Sequence, residues 1–346
     1  MKQKKTDKKW LFLYIISGTI ITSEIQTFCF HEVDDILELG DCMKKKEDEK
    51  GLPDQLIHEV PQSEIGEFDA LIKEYRKQHI RSSDELVRLI FSKNKSYINQ
   101  VRNRNVSKCI KDLREEVWRE YLTDEVNFNA FLMRDLHNLL QTPKSILNSI
   151  LFENITTKKG DALLNAVRSS CGEYAGRVFP YIYHLSLSNT QSRRSRAGKT
   201  FEAIIYNIYD ILGYEYDSQS KVGKKVFDEQ GLGKKVDSVL PSIKAYEKKR
   251  SKTIIGTMKT TLRERWQEVA EEISRTNIPE IHLLTVDEDI SKSKATEMQN
   301  HNITIVAYKW IADSTALKQM KNIISFEDYL FDEIPSKIEF WNNDKK

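Results

Sequence analysis

The sequence predicts an α/β protein in two unequal parts: a helical first half, then a half in which strands alternate with helices. Three observations carry this. Between residues 51 and 185, apolar side chains recur at helical spacing. Beyond that, short runs rich in Val, Ile and Thr stand at 234–241, 253–259, 281–286 and 303–308. Amphipathic stretches separate them, the pattern of a sheet covered by helices. At 346 residues with 39% hydrophobic content, the chain has material for one large domain or two ordinary ones.

The N-terminus stands apart. Residues 1–9 are basic and residues 10–21 are mostly apolar, the outline of a secretory leader. The run is shorter than the ~20 residues of a comfortable membrane span, and no good small-x-small cleavage site follows it. Three readings stay open: a signal or anchor, a strand or helix packed on the body, or an over-extended start with translation beginning at Met43. The charged run at 44–50 reads as a solvated linker. Residues 1–50 are therefore set aside as a leader.

Residues 51–185 form the helical region. Phe68, Leu71, Ile72 and Tyr75 share one helical face. Ser82-Ser83-Asp84-Glu85 is a helix start signal, followed by Leu86, Ile90 and Phe91. Ile110, Leu113, Val117 and Tyr121 form a third stripe, and 128–140 and 163–167 continue the style. Lys93, Lys95, Arg102, Arg104, Lys108, Lys111 and Arg114 interleave with them. They are either a solvated surface or a face that contacts phosphates.

A second domain is expected over residues 186–346. It opens on a small-polar stretch, 186–199, with three arginines and a lysine, which alone reads as a basic linker. Phe201, Ile204, Ile205, Ile208, Ile211 and Leu212 then make a broad apolar helix face, with Gly213 as its C-terminal cap. The strands at 234–241 and 253–259 follow, then a helix at 261–276 with Leu262, Trp266, Val269 and Ile273 on one face. The strands at 281–286 and 303–308, a short helix at 314–320 and a mixed tail at 324–341 packed on the sheet edge complete the chain.

Composition narrows the function. Lys and Arg total 54 against 52 Asp and Glu, so any surface for nucleic acid is local rather than global. Cys29, Cys42, Cys109 and Cys171 are scattered without a CxxC or Cys/His cluster, which argues against zinc and a disulfide framework. A reducing cytoplasm is expected, with no stable membrane partner.

The chemistry concentrates around two strands. Asp237 lies on one and Lys259 ends the next. A carboxylate and a lysine on neighbouring strands can converge on a divalent cation and an attacking water. Nucleases of this kind usually add a second carboxylate two residues before the lysine, where Thr257 stands instead. Glu268, Glu271 and Glu272 on the following helix compete to replace it, and Glu202 on the earlier amphipathic helix is a further candidate. Next to Lys259 comes Arg263-Glu264-Arg265-Trp266. Arginine donates two bonds to a guanine edge and glutamate accepts from cytosine, so the triplet suits adjacent G·C pairs.

Taken together, Ser195-Arg196-Ala197-Gly198-Lys199, Phe201-Glu202, Asp237, Thr257-Met258-Lys259, Arg263 to Trp266 and Glu272 resemble the EcoRII- and SsoII-type restriction endonucleases. These type II enzymes recognise CC and GG separated by a central position. The resemblance runs from about Gln191 to Glu272. It implies a PD-(D/E)xK core, a central mixed sheet flanked by helices, in which the second acid has moved from strand to helix. That accounts for Thr257. Val236, in place of a proline before Asp237, is a departure that leaves the carboxylate in place.

Carried over, Glu202, Asp237, Lys259 and Glu272 are the expected catalytic set, with Asp237 and Glu272 as Mg2+ ligands. Arg263, Glu264 and Arg265 are expected to read bases in the major groove, and Gln191 to contact the same pairs from the minor groove. A weaker similarity gives Arg114 and Trp118 the spacing of a pair that holds flipped-out central nucleotides. The resemblance further implies a homodimer on a palindromic CCNGG- or CCWGG-like duplex, 5′-phosphate products and a cognate DNA methyltransferase. A repair or structure-specific nuclease on the same fold, or a catalytically inactive DNA-binding protein, are the alternatives.

Overall fold

The computed structural model describes residues 57–343 except 152–156, 234, 264 and 277. The leader, residues 1–50, lies outside the described residues, as does Glu264. The described residues form one compact unit.

Seven helices come first: α1 (Gln62–His79), α2 (Ser83–Lys93), α3 (Ser96–Arg102), α4 (Val106–Leu139), α5 (Gln141–Leu151), α6 (Gly160–Arg177) and α7 (Phe179–Leu212). Their apolar stripes are the buried ones. Phe68 and Ile72 of α1, Leu86 and Ile90 of α2, and Ile110, Leu113, Val117 and Tyr121 of α4 are at most 3% exposed. The start signal for α2 is a capping box. Glu85 N donates to Ser82 Oγ, and Ser82 N donates to the Glu85 carboxylate, so two otherwise orphaned amides are satisfied.

Helix α7 runs unbroken through the position between 185 and 186 where the sequence divides, and through the expected linker at 186–199. The polar stretch is helical, with one side of it held against α4 and the rest exposed. Arg193 Nε donates to the buried Glu125 carboxylate at 3.0 Å, the Arg196 guanidinium lies over the Tyr121 ring at 4.8 Å, and Asn189 bonds Asn129. Gly213 closes the helix in a left-handed conformation, φ 74°, as its cap position requires.

The second half is a six-stranded mixed sheet whose strand order follows the chain. Its strands are β1 (Asp217–Ser218), β2 (Ser238–Leu240), β3 (Ile254–Lys259), β4 (Ile281–Thr285), β5 (Ile303–Ala307) and β6 (Ile323–Ser325). The first two pairings are antiparallel and the other three parallel. Helices α8 (Lys224–Glu229), α9 (Ile243–Lys248), α10 (Arg265–Thr276), α11 (Lys292–Asn300) and α12 (Ile334–Asn343) accompany it, with single turns at Gln219–Val222, Lys309–Ala312 and Phe326–Asp328. Two details differ from the sequence reading. Helix α10 starts at Arg265 rather than 261, because the backbone at Arg263, φ 21°, lies outside the helical region; Leu262 N is held by Asp287 Oδ2 at 2.7 Å. Residues 314–320 form turns rather than a helix, with only Leu317 buried to anchor them.

Both faces of the sheet are covered, so β4 is buried along its whole length and β5 at all but Thr304. Ile254 and Met258 of β3 with Leu284 and Val306 join the core built with α4 and α7. Ile255, Leu283 and Ile305 join the opposite core with Trp266 and Val269 of α10. Alternation along β3 puts Thr257 and Lys259 on the α10 side. Among the described residues, no helix is long and apolar enough to cross a membrane.

Candidate active site

Asp237 sits one residue before β2, where regular pairing with β3 stops. Its amide still donates to Gly256 O at 2.9 Å. Its carboxylate then takes over from the backbone: Oδ2 accepts from Met258 N at 2.6 Å and Thr257 Oγ1 at 3.3 Å. Lys259 Nζ stands 3.6 Å from the same oxygen and bonds Thr257 Oγ1 at 3.1 Å. Thr257, which breaks the simplest nuclease pattern, therefore bridges the acid and the lysine. The two charged side chains are 19% and 14% exposed, open enough to meet a ligand and sheltered enough to feel each other strongly.

Glu202 reaches the same corner from α7. Burial, then repulsion from Asp237, pushes its carboxyl up to about 7, against the pull of Lys259 and Lys199. Burial also raises the Asp237 carboxyl, opposed first by Lys259 and then by the bonds from Met258 and Thr257. One turn after Glu202, the Tyr206 hydroxyl donates to the backbone carbonyl of Asp237 at 2.9 Å. The sequence reading passed over Tyr206, although its i+4 spacing from Glu202 was the available signal.

Glu272 is 8% exposed on α10. Its Oε1 accepts from Arg275 Nη2 at 2.7 Å. The carboxylate also lies so close to Gly233 (φ +71°) that a Cβ there would overlap it. Among the described residues, no three His, Cys, Asp or Glu side chains gather as a metal-binding group. The structure thus unites Glu202, Asp237 and Lys259, and shows Glu272 engaged with Arg275 on the helix that covers the same face of the sheet.

The residues expected to read bases are arranged differently. Arg263 and Arg265 are exposed at the β3–α10 junction, and Gln191 is exposed on α7. Arg263 has φ 21°, a backbone conformation few side chains adopt. Arg114 and Trp118 line one open cavity of about 330 Å³ with Lys111, Tyr121, Arg196 and Thr200. Trp118 stacks on Tyr121 with centroids 5.3 Å apart, and Arg114 Nη1 donates to the Tyr308 hydroxyl at 3.2 Å.

The family model for the C-terminal region of EcoRII matches residues 173–330, a span that contains every residue of this corner. The type II restriction enzyme SsoII of Shigella sonnei is 34% identical over 286 residues, covering 80% of this chain and 85% of the relative. The chain belongs to the EcoRII/SsoII-type restriction endonucleases. Solved relatives agree with this. Metal-depleted Ecl18kI in complex with uncleaved DNA is 31% identical, with a TM-score of 0.62 over 80% of this chain and 86% of that one. The same protein with uncleaved, modified DNA superposes at 0.63. The PspGI–substrate DNA complex, at 17% identity and a TM-score of 0.51 over 77% of this chain and 95% of that one, shares the fold. The α/β core with its mixed sheet is thus the PD-(D/E)xK architecture, and the enzyme is a site-specific DNA endonuclease of type II.

Proposed function

We propose that this endonuclease hydrolyses both strands of a CCNGG- or CCWGG-like duplex, using Glu202, Asp237, Lys259 and Glu272 together with Mg2+. The observation that carries the reading is the Asp237–Thr257–Lys259 cluster with Glu202 beside it. The donor set fits the cation: it consists of hard carboxylate oxygens. Two of these carboxyls are raised by burial, and Asp237 further raises the proton affinity of Glu202, a cost that a bound divalent charge removes. Asp237 and Glu272 would hold Mg2+, with Glu202 in support, and Glu272 would have to exchange Arg275 for the cation. When bound, Mg2+ supplies Lewis-acid stabilisation of charge on the phosphate.

The chain's own residues do the rest. Lys259 presents its ammonium beside Asp237, where it can orient an attacking water and stabilise negative charge on phosphate oxygen. Attack at phosphorus expels the 3′-oxygen and leaves a 5′-phosphate. Arg263, Glu264 and Arg265 read adjacent G·C pairs from the major groove, and Gln191 contacts them from the minor groove. The Arg114–Trp118 cavity accommodates a central nucleotide turned out of the stack, its base on the indole and its charge near the guanidinium. A palindromic target calls for a two-fold homodimer with one active site per strand. A methyltransferase of the same specificity would protect the host.

The test is digestion of a sequenced plasmid with Mg2+, followed by run-off mapping of the ends. Discrete cuts at CCNGG-like sites are expected. Random smearing, or no cutting, rejects the target assignment.

A further inference from the structure

Asp237 lies where the sheet no longer supports it. Strand β1 pairs only through Asp217↔Val239 and Ser218↔Ser238. At the next position the chain leaves the strand for the turn Gln219–Val222. The carbonyls of Val236 and Asp237 therefore have no ladder partner on the β1 side, and an unmet carbonyl in a sheltered corner is costly. Two side chains fill the gap. Gln219 Nε2 donates to Val236 O at 2.7 Å, and Tyr206 OH donates to Asp237 O at 2.9 Å.

Tyr206 is itself braced. Its ring stacks on Tyr216 with centroids 5.1 Å apart and planes 13° from parallel. Lys221 Nζ sits 3.2 Å from the Tyr216 ring centroid. Tyr206 also shares a helix face with Glu202, one turn away, so a single stretch of α7 carries one acid and grips the backbone of the other.

We propose that Tyr206 is a positioning residue. Its hydroxyl replaces the missing strand, fixes the backbone at Asp237 and sets the spacing between the helix-borne Glu202 and the strand-borne Asp237. Gln219 supports the same segment one residue earlier. This rests on Asp237 being the catalytic acid. Misplacement of a reacting group by ~1 Å is enough to cost about 10²-fold in rate, so losing this one bond is expected to slow chemistry without touching DNA recognition.

Tyr206→Phe keeps the stack on Tyr216 and removes only the hydrogen bond. In Mg2+ its single-turnover cleavage rate is expected to fall about 10- to 100-fold, with a higher Mg2+ midpoint. Specific DNA binding in Ca2+ should stay at the wild-type value, while the melting temperature falls by only a few degrees, as the loss of one sheltered hydrogen bond requires. Gln219→Met should give a smaller loss of the same kind. Because both side chains hold one segment, the double variant should lose less than the product of the two single losses. Wild-type cleavage and Mg2+ midpoint in Tyr206→Phe overturn the proposal. So does an equal loss of binding and rate, which marks a merely structural tyrosine. Asp237→Ala, run in parallel, separates the two ideas: normal cutting by that variant removes the active-site assignment itself.

Discussion

The acid–lysine corner and the proposed reading junction lie four positions apart in the chain, at Lys259 and Arg263, and are built on opposite principles. At the corner, the Asp237 carboxylate has a backbone amide, a hydroxyl and an ammonium around it, and its own carbonyl is held by Tyr206. At the junction, Arg263 and Arg265 stand exposed, and the chain just before them is tied by the Leu262–Asp287 bond. On the proposed assignment, hydrolysis depends on fixed distances and low local dielectric, and Asp237 and Lys259 meet that need at the sheet while Glu202 and Glu272 come from helices. The proposed base readers need long donors free to enter a groove, and Arg263 and Arg265 stand exposed on the turn after β3 and the first residue of α10. Lys259 and the two arginines stand at the two ends of one strand-to-helix connection.

The largest expected effect breaks the corner. Asp237→Ala or Lys259→Ala should lower cleavage by on the order of 10³-fold or more, while specific binding in Ca2+ survives. If either variant lost binding and kept its turnover rate, the division of labour would be inverted.

Next in size is a stability effect at Glu202, whose carboxyl is pushed up to about 7 by burial and by Asp237. A raised carboxyl makes the folded state hold a proton that the unfolded chain releases. In metal-free protein, stability should therefore decline as pH rises from the ordinary carboxyl range through about 7. Glu202→Gln removes that decline, so at pH 8 it should be more stable than wild type by up to about 3 kcal/mol, and equal to it near pH 4. Melting curves in chelator at the two pH values check this. Identical pH dependence in both proteins would place Glu202 away from the acid pair.

Smaller still is the reading loop. Arg263→Ala or Arg265→Ala should weaken binding to the cognate site by about 1–3 kcal/mol, while binding to unrelated duplex changes much less. A uniform loss on both DNAs would make these arginines phosphate contacts instead. The smallest effect concerns Arg275, an exposed partner of Glu272. Its replacement by Ala should leave the melting temperature close to wild type, as for other exposed ion pairs, and it should lower the Mg2+ concentration needed for cleavage by removing one hold on Glu272. An unchanged Mg2+ midpoint in Arg275→Ala, together with wild-type cleavage by Glu272→Gln, would remove Glu272 from the cation site.

Much of this was legible in the linear chain because it is local. Helical stripes such as Ile110, Leu113, Val117 and Tyr121 name their own buried face, and Ser82/Glu85 announces its capping box. Runs such as Ile281 to Thr285 read as strands buried on both sides. What misled was also local. The basic stretch 186–199 looks like a linker by composition, yet Arg193 and Arg196 are internal to α7's contact with α4. Their partners, Glu125 and Tyr121, are some 70 residues earlier.

By itself the sequence determined the periodicity of its elements, the α/β class, and the order and spacing of acids, lysine and arginines that mark a restriction endonuclease. Only the tertiary structure decided which of those groups meet. Glu202 and Asp237 become neighbours because α7 packs on β3 and Tyr206 ties it to the Asp237 carbonyl. Thr257 turns from a gap in a motif into a bridge because alternation along β3 puts it beside Lys259. Tyr206 acquires a role because a carbonyl there has lost its strand partner. Distances between elements follow from packing, and packing is a property of the whole core that no window of sequence contains.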